Sequence, residues 1–153
     1  MTLQRQLVRM PVRHSFLIEL SVWLAGLFMT AFLSATILPG NSEAALVAAL
    51  HFKPDLGWLA VAMASLGNIL GGLLTVYLGR RLPKAPEAKW LPRLQRLGPA
   101  SLLLSWVPLM GDALCGVAGW LRWPWRPVLL YLALGKVLRY LVIYALMLQW
   151  FSV

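Results

Sequence analysis

Charge is what this 153-residue chain has least of: Asp, Glu, Lys and Arg make up only 12% of it, against about 25% in an ordinary soluble domain. That is too little polar surface to cover a water-soluble globule of this size. Acids are scarcest, with five in the whole chain. Few carboxylates are therefore free for a metal-assisted or acid–base enzyme site, and no enzyme activity is expected. Cys115 is the only cysteine, which excludes an internal disulfide and a cysteine-based metal cluster. His14 and His51 are the only imidazoles. They read as a head-group-level residue and a loop residue, so neither a metal nor a cofactor is expected.

What is present is apolar: 60% of the residues are hydrophobic and the mean hydropathy is +0.73. The chain reads as a single-domain, all-α integral membrane protein. Residues 20–42 and 56–79 carry no charge, and about 20 apolar residues cross a bilayer. The later apolar stretches, 97–121 and 127–151, are interrupted by Asp112 and by Lys136 and Arg139. Arg5, Arg9 and Arg13 precede the first stretch as in a signal peptide. That stretch is too long and lacks a small-residue cleavage site, so it reads as retained. The net charge of +9 does not call for nucleic acid. The positive-inside bias and anionic lipid head groups explain it.

Five segments follow along residues 15–153, after a basic interfacial arm at 1–14. Residues 15–52 hold a first segment with a helix, a break and a short helix over 43–50. Residues 57–79 form a span in which Gly67 and Gly71 make a small-xxx-small pair for close packing. Residues 80–96 form a cytoplasmic loop with six basic residues and three prolines, serving as a topology signal or an anionic-lipid contact. Residues 97–121 are apolar with basic flanks, the charge pattern of a second hairpin that enters and returns. Residues 127–151 form the last span, behind the aromatic belt WLRWPW at 120–125.

The stretch LPGNSEAAL at 38–46 puts a helix breaker, Pro39-Gly40, and then Asn41, Ser42 and Glu43 inside apolar sequence. In lipid such a break is tolerated only where it lines protein or a water-filled cavity. It frees a helix N-terminus that can hold an anion. The plainer alternative is that Asn41 or Ser42 caps the short helix while Glu43 complements its positive end. A second break, Pro108-Leu-Met-Gly111-Asp112, repeats the pattern of proline, three residues and acid. Gly67-Asn68 and Gly135-Lys136 fall at nearly matching offsets in the two following spans. The expected fold is two opposed re-entrant, broken-helix hairpins, each followed by a transmembrane helix, forming an inverted repeat.

Sidedness stays open at this level. Basic residues would place both the N-terminal arm and the 80–96 loop inside. Residues 15–52 would then have to cross a net odd number of times. Either 15–38 crosses before the short helix folds back, or the arm lies outside.

The stretches FLSATILPGNSEAALVAAL, ASLGNILGGLLTVYLGRR and LLLSWVPLMGDALCGVAGWLRWPWRPVLLYLALGK resemble the DedA family, also called the VTT or SNARE-associated Golgi protein family, in its small YqaA-like branch. The resemblance covers nearly the whole chain from residue 30. It implies a multi-pass protein of the bacterial inner membrane that moves lipids between leaflets. The implied substrates are polyprenyl phosphate or phospholipid head groups, in support of envelope homeostasis. It also implies Glu43 as the hairpin acid and Arg80 as the arginine ending the first span. The chain departs from the family in three places. The arginine pair of the second hairpin is absent from SWVPLMG at 105–111. Asn68 stands where an acid is common. Asp112 is an added acid.

The candidate transport and substrate-binding residues are therefore Glu43, Asp112, Asn41, Asn68, Arg80, Lys136 and Arg139, with Pro39, Gly40, Pro108 and Gly111 as the hairpin breaks. Lys136 and Arg139 share one helix face. They either neutralise Glu43 and Asp112 or replace the missing arginines at a lipid phosphate. Membrane lipids, an anionic phosphate-bearing lipid among them, are the expected partners, and homo-oligomers are compatible with the sequence. Two alternatives remain: a structural or regulatory membrane protein without transport, and a lipid-phosphate enzyme.

Overall fold

The computed structural model describes residues 3–36, 41–83, 91–107 and 110–151, with side chains from Ser15 on except those of 91 and 151. Every regular element among them is helical. The elements are α1 (Leu3–Thr36), α2 (Asn41–Phe52), α3 (Gly57–Arg81), α4 (Leu91–Leu97), α5 (Met110–Trp120) and α6 (Trp125–Phe151). Two 3₁₀ segments, Pro54–Leu56 and Gly98–Trp106, precede α3 and α5. The nine residues of the second are unusual for a geometry that seldom runs past three or four. The backbone of 3–14 continues into α1 without a break.

Among the described residues three helices are long and apolar enough to cross a membrane: Ser15–Thr36, Pro54–Arg81 and Trp125–Trp150. Their outward faces carry leucines such as Leu33, Leu70, Leu74, Leu130, Leu134 and Leu138. Such a surface suits lipid and would be an aggregation hazard in water.

Close backbone contact fixes the helix directions. A Cβ at Gly67 would lie 2.4 Å from Phe28 O, and one at Gly71 would lie 2.5 Å from Phe32 O. Thr75 Oγ1 then donates to Ala35 O at 3.0 Å. The numbers rise together, so α1 and α3 run in parallel, and only glycine allows that approach.

Helix α2 doubles back along α1. The Ser42 amide donates to Ser34 Oγ at 3.1 Å, and Lys53 Nζ lies over the Trp23 ring at 5.6 Å. Leu27, Ala31, Leu46, Ala49, Leu50, Ala60, Val61, Ala64 and Tyr140 form the core around this return. The first segment thus reaches the level of the middle of α3 and turns back before α3 sets out. The Leu3 end of α1 and the Arg81 end of α3 lie at opposite ends of the bundle.

The second half packs by similar means. Helix α6 runs against α3, with Tyr144 beside Gly57 and Lys136 beside Gly72. It seats Gly135 on the 3₁₀ segment, where a Cβ would meet Ser105 Oγ at 2.3 Å and Leu102 O at 3.0 Å. Helix α5 lies on α3, where a Cβ at Gly119 would fall 1.9 Å from Val76 O. Val76, Leu102, Cys115, Ala118, Trp123, Val128 and Leu132 fill the second core. Helix α5 ends with Arg122 in the left-handed region (φ 55°). Its amide donates to Gly119 O at 2.9 Å, and the Trp123 amide donates to Ala118 O at 3.2 Å. This is a Schellman stop built on arginine where glycine is usual.

Candidate functional site

Glu43 sits in the first turn of α2 and Asp112 in the first turn of α5. An acid there complements the positive end of the helix dipole. Lys136 and Arg139 lie 11 and 14 residues beyond Trp125 in the 27-residue helix α6. That places them roughly 16–21 Å along a helix about 40 Å long, near its middle. The two acids and the two cations meet there.

Lys136 Nζ makes an ion pair with Asp112 Oδ1 at 2.9 Å and also donates to Asn68 Oδ1. Asn68 Nδ2 points the other way, donating to Ala31 O at 3.3 Å and to Ser42 Oγ at 3.4 Å. With the Ser42–Ser34 bond this makes one hydrogen-bonded line from α1 and α2, through α3 and α6, to α5. Gly72 makes room for the line, since a Cβ there would lie 2.9 Å from Lys136 Cε.

Arg139 makes an ion pair with Glu43 through Nη2 and Oε1. Its Nε is buried without a hydrogen-bond partner. The two pairs differ in access. Side-chain exposure is 0% for Lys136 and 14% for Asp112, but 5% for Arg139 and 30% for Glu43. The fully buried Tyr140 faces Ser42 and Asn68 with its hydroxyl, outside strict hydrogen-bond geometry.

Of the residues expected from sequence, the structure brings together Glu43, Asp112, Asn68, Lys136 and Arg139. Gly111 packs at the edge of the group, where a Cβ would fall 2.6 Å from Ser105 O. Asn41 is exposed, and its neighbour Ser42 faces inward instead. Arg80 stands apart, twelve residues beyond Asn68 on α3, roughly 18 Å along the helix. It donates to Trp123 O and lies over the Trp125 ring at 4.2 Å, an interfacial anchor. Pro39, Gly40 and Pro108 lie outside the described residues. Sequence reasoning passed over Ser34, Gly72 and Tyr140. The one signal it had was Tyr140 following Arg139 directly. Among the described residues no group of three or more His, Cys, Asp or Glu could hold a metal ion.

Over 130 residues the chain is 48% identical to the inner membrane protein YqaA of Escherichia coli, covering 82% of this chain and 92% of that protein. The same figures hold for the YqaA protein of Shigella flexneri. An uncharacterized protein of Haemophilus influenzae is 41% identical over 129 residues, covering 76% of this chain and 82% of its own length. No family model matches the chain, and no solved structure matches it.

Proposed function

Because the chain belongs to the family of the inner membrane protein YqaA, its polar centre works inside a bilayer, and we propose that it moves phosphate-bearing lipids between leaflets as a flippase or scramblase. The wider family is taken to be DedA. One observation carries the reading: Glu43 and Arg139 form an ion pair at mid-span whose carboxylate is part-exposed, next to the buried Lys136–Asp112 pair. Each ionisable residue at that depth costs about 2.5–3.5 kcal/mol on insertion scales. Groups held at such a cost mark substrate pathways by default.

The N-terminus of α2 leads into this centre beside Arg139 of α6. Helix N-termini and a guanidinium together suit a phosphate. A head group would enter at the part-exposed Glu43, take Arg139 from it, and leave its tails in the surrounding lipid.

The proposed architecture is two opposed re-entrant hairpins related as an inverted repeat. Two parallels support it. Helix α2 runs alongside α6, from Glu43–Arg139 to the Leu50–Met147 region of the first core. Helix α5 runs alongside α3, from Asp112, joined through Lys136 to Asn68, to Trp120 and Trp123, bonded to Pro83 and Arg80. Each short helix thus packs on the span of the other half, and the two spans are antiparallel.

A second reading, a structural or regulatory protein without transport, has its own support in the complete burial and double pairing of Lys136. Purified protein in liposomes separates the two. Transport predicts that labelled phosphate-bearing lipid exchanges between leaflets and that Glu43→Gln folds but loses most of the activity. No exchange beyond that of protein-free liposomes would leave the structural reading. Product release from lipid phosphates in the same vesicles would point to an enzyme.

A further inference from the structure

We infer that the two buried cations divide the work: Arg139, with Glu43, is the exchangeable pair that meets the head group, whereas Lys136, with Asp112 and Asn68, is a fixed positioning clamp joining the two halves. The inference rests on the transport reading for the role of Arg139, but not for the clamp.

The clamp has every mark of a closed structure. Lys136 is fully buried, and two oxygens on two different helices accept hydrogen bonds from its ammonium. Asn68, 1% exposed, spends its amide on Ala31 and Ser42 and its carbonyl on Lys136. Displacing the ammonium would strand Asp112 and Asn68 together and uncouple α5 from the α1–α2 unit. With its side chain 0% exposed, Lys136 presents no open surface to an incoming anion.

The other pair is open. Glu43 keeps 30% of its side chain exposed, so water can solvate its carboxylate once Arg139 lets go. Arg139 still holds a buried Nε with no hydrogen-bond partner. A guanidinium offers five donors in a planar fork, and a phosphate can take two at once while a carboxylate keeps a third. Exchange at Arg139 therefore strands only the buried Oε1 of a carboxylate that stays part-exposed, whereas exchange at Lys136 strands Asp112 and Asn68 on two helices.

Three variants of the full-length protein test this, by melting temperature in detergent and by lipid exchange in liposomes. Lys136→Met alone should lower the melting temperature by roughly 10 °C, because Asp112 is left unpaired. Lys136→Met with Asp112→Leu should recover most of that loss and keep lipid exchange within about two-fold of wild type, since an apolar pair can replace a buried ion pair. Arg139→Gln should melt within about 3 °C of wild type, because the Glu43 side chain is part-exposed, yet lose at least about ten-fold in exchange of phosphate-bearing lipid. Lys136→Gln with Asp112→Asn gives a second compensated pair if the apolar one misfolds.

A well-folded compensated pair without exchange activity would overturn the inference, as would failure of both compensated pairs to fold. A collapse of stability in Arg139→Gln would overturn it as well. Phosphatidic acid doped into the micelles supplies a readout independent of transport. It should raise the melting temperature of wild type and of the compensated pair, but not of Arg139→Gln. If wild type moves no lipid while this pattern holds, the transport reading falls and the division of labour stands. If phosphatidic acid protects Arg139→Gln as well as wild type, the division falls.

Discussion

Replacing Gly67 with alanine tests the contact on which the polar centre is hung. Its new Cβ would lie 2.4 Å from Phe28 O, where ordinary contact begins at 3.4 Å, so α1 and α3 must part by about 1 Å. Overpacking of that kind costs about 1–3 kcal/mol. The Asn68–Ala31 bond, already 3.3 Å long, would not survive the shift, a further loss of about 1 kcal/mol. Against this, alanine is favoured over glycine inside a helix by about 1 kcal/mol. Gly26 is an internal control. It lies in α1, and a Cβ there meets nothing within 4 Å, so Gly26→Ala should be neutral or stabilising by up to about 1 kcal/mol. The two variants should differ by about 2–4 kcal/mol, or roughly 5–15 °C in melting temperature for a chain of this size. The protein carries its own reporter, since Cys115 is the only cysteine and is fully buried. A thiol-reactive fluorophore in detergent therefore reads unfolding directly. If Gly67→Ala melts at or above Gly26→Ala, the packing argument is wrong.

Ser105→Ala should be neutral or stabilising, because its buried Oγ has no hydrogen-bond partner. Gly135→Ala should destabilise by about 1–3 kcal/mol. Adding Ser105→Ala should recover part of that loss, since Ser105 Oγ is the nearest obstacle at 2.3 Å while Leu102 O remains at 3.0 Å. Arg122→Gly should raise the melting temperature by roughly 2–4 °C, because a side chain in the left-handed region costs about 1 kcal/mol; an unchanged or lower value contradicts the strain at that stop. In a Cys115→Ser background, cysteines at 53 and 122 should label from opposite sides of the membrane. With Arg80, Arg81, Arg122 and Arg126 at or next to the Arg81 end, the positive-inside bias predicts that it faces the cytoplasm. An impermeant maleimide on intact cells should reach 53 and miss 122; equal labelling would overturn the helix directions.

Much of the helical plan is legible in the sequence because lipid leaves few choices. Long uncharged runs give the spans, and Gly67-x-x-x-Gly71 announces a close neighbour through its spacing alone. Lys136 and Arg139 are readable as one helix face for the same reason. The identity of each partner is not readable. Glu43 could have met either cation, and which one it meets depends on the direction of α2 against α6, a tertiary fact. Asn41 and Ser42 differ by about 100° around the helix, so one faces outward and the other inward, and composition cannot choose between them. Arg80, expected at the site from the family resemblance, is held by Trp123 and Trp125 at the interface. The sidedness puzzle came from assuming that basic residues at both ends must share a compartment. The return of α2 along α1 puts the Leu3 and Arg81 ends at opposite ends of the bundle.

The bond between Lys136 and Asn68 joins residues 68 positions apart, and Arg139 reaches back further still, to Glu43. The order of synthesis gives this a consequence. Glu43, Ser42 and Asn68 leave the ribosome long before the helix that carries their cations. At about 5–20 residues per second, Glu43 waits on the order of 5–20 s for Arg139. Asp112 waits for Lys136 only about a quarter as long, being 24 residues away. During that interval the first half is a nascent chain with an uncompensated carboxylate. It either stays at the mouth of the insertion machinery or remains a target for quality-control proteolysis. The last helix is thus the step that commits the whole chain to the bilayer, and a message truncated before α6 should leave no stable product.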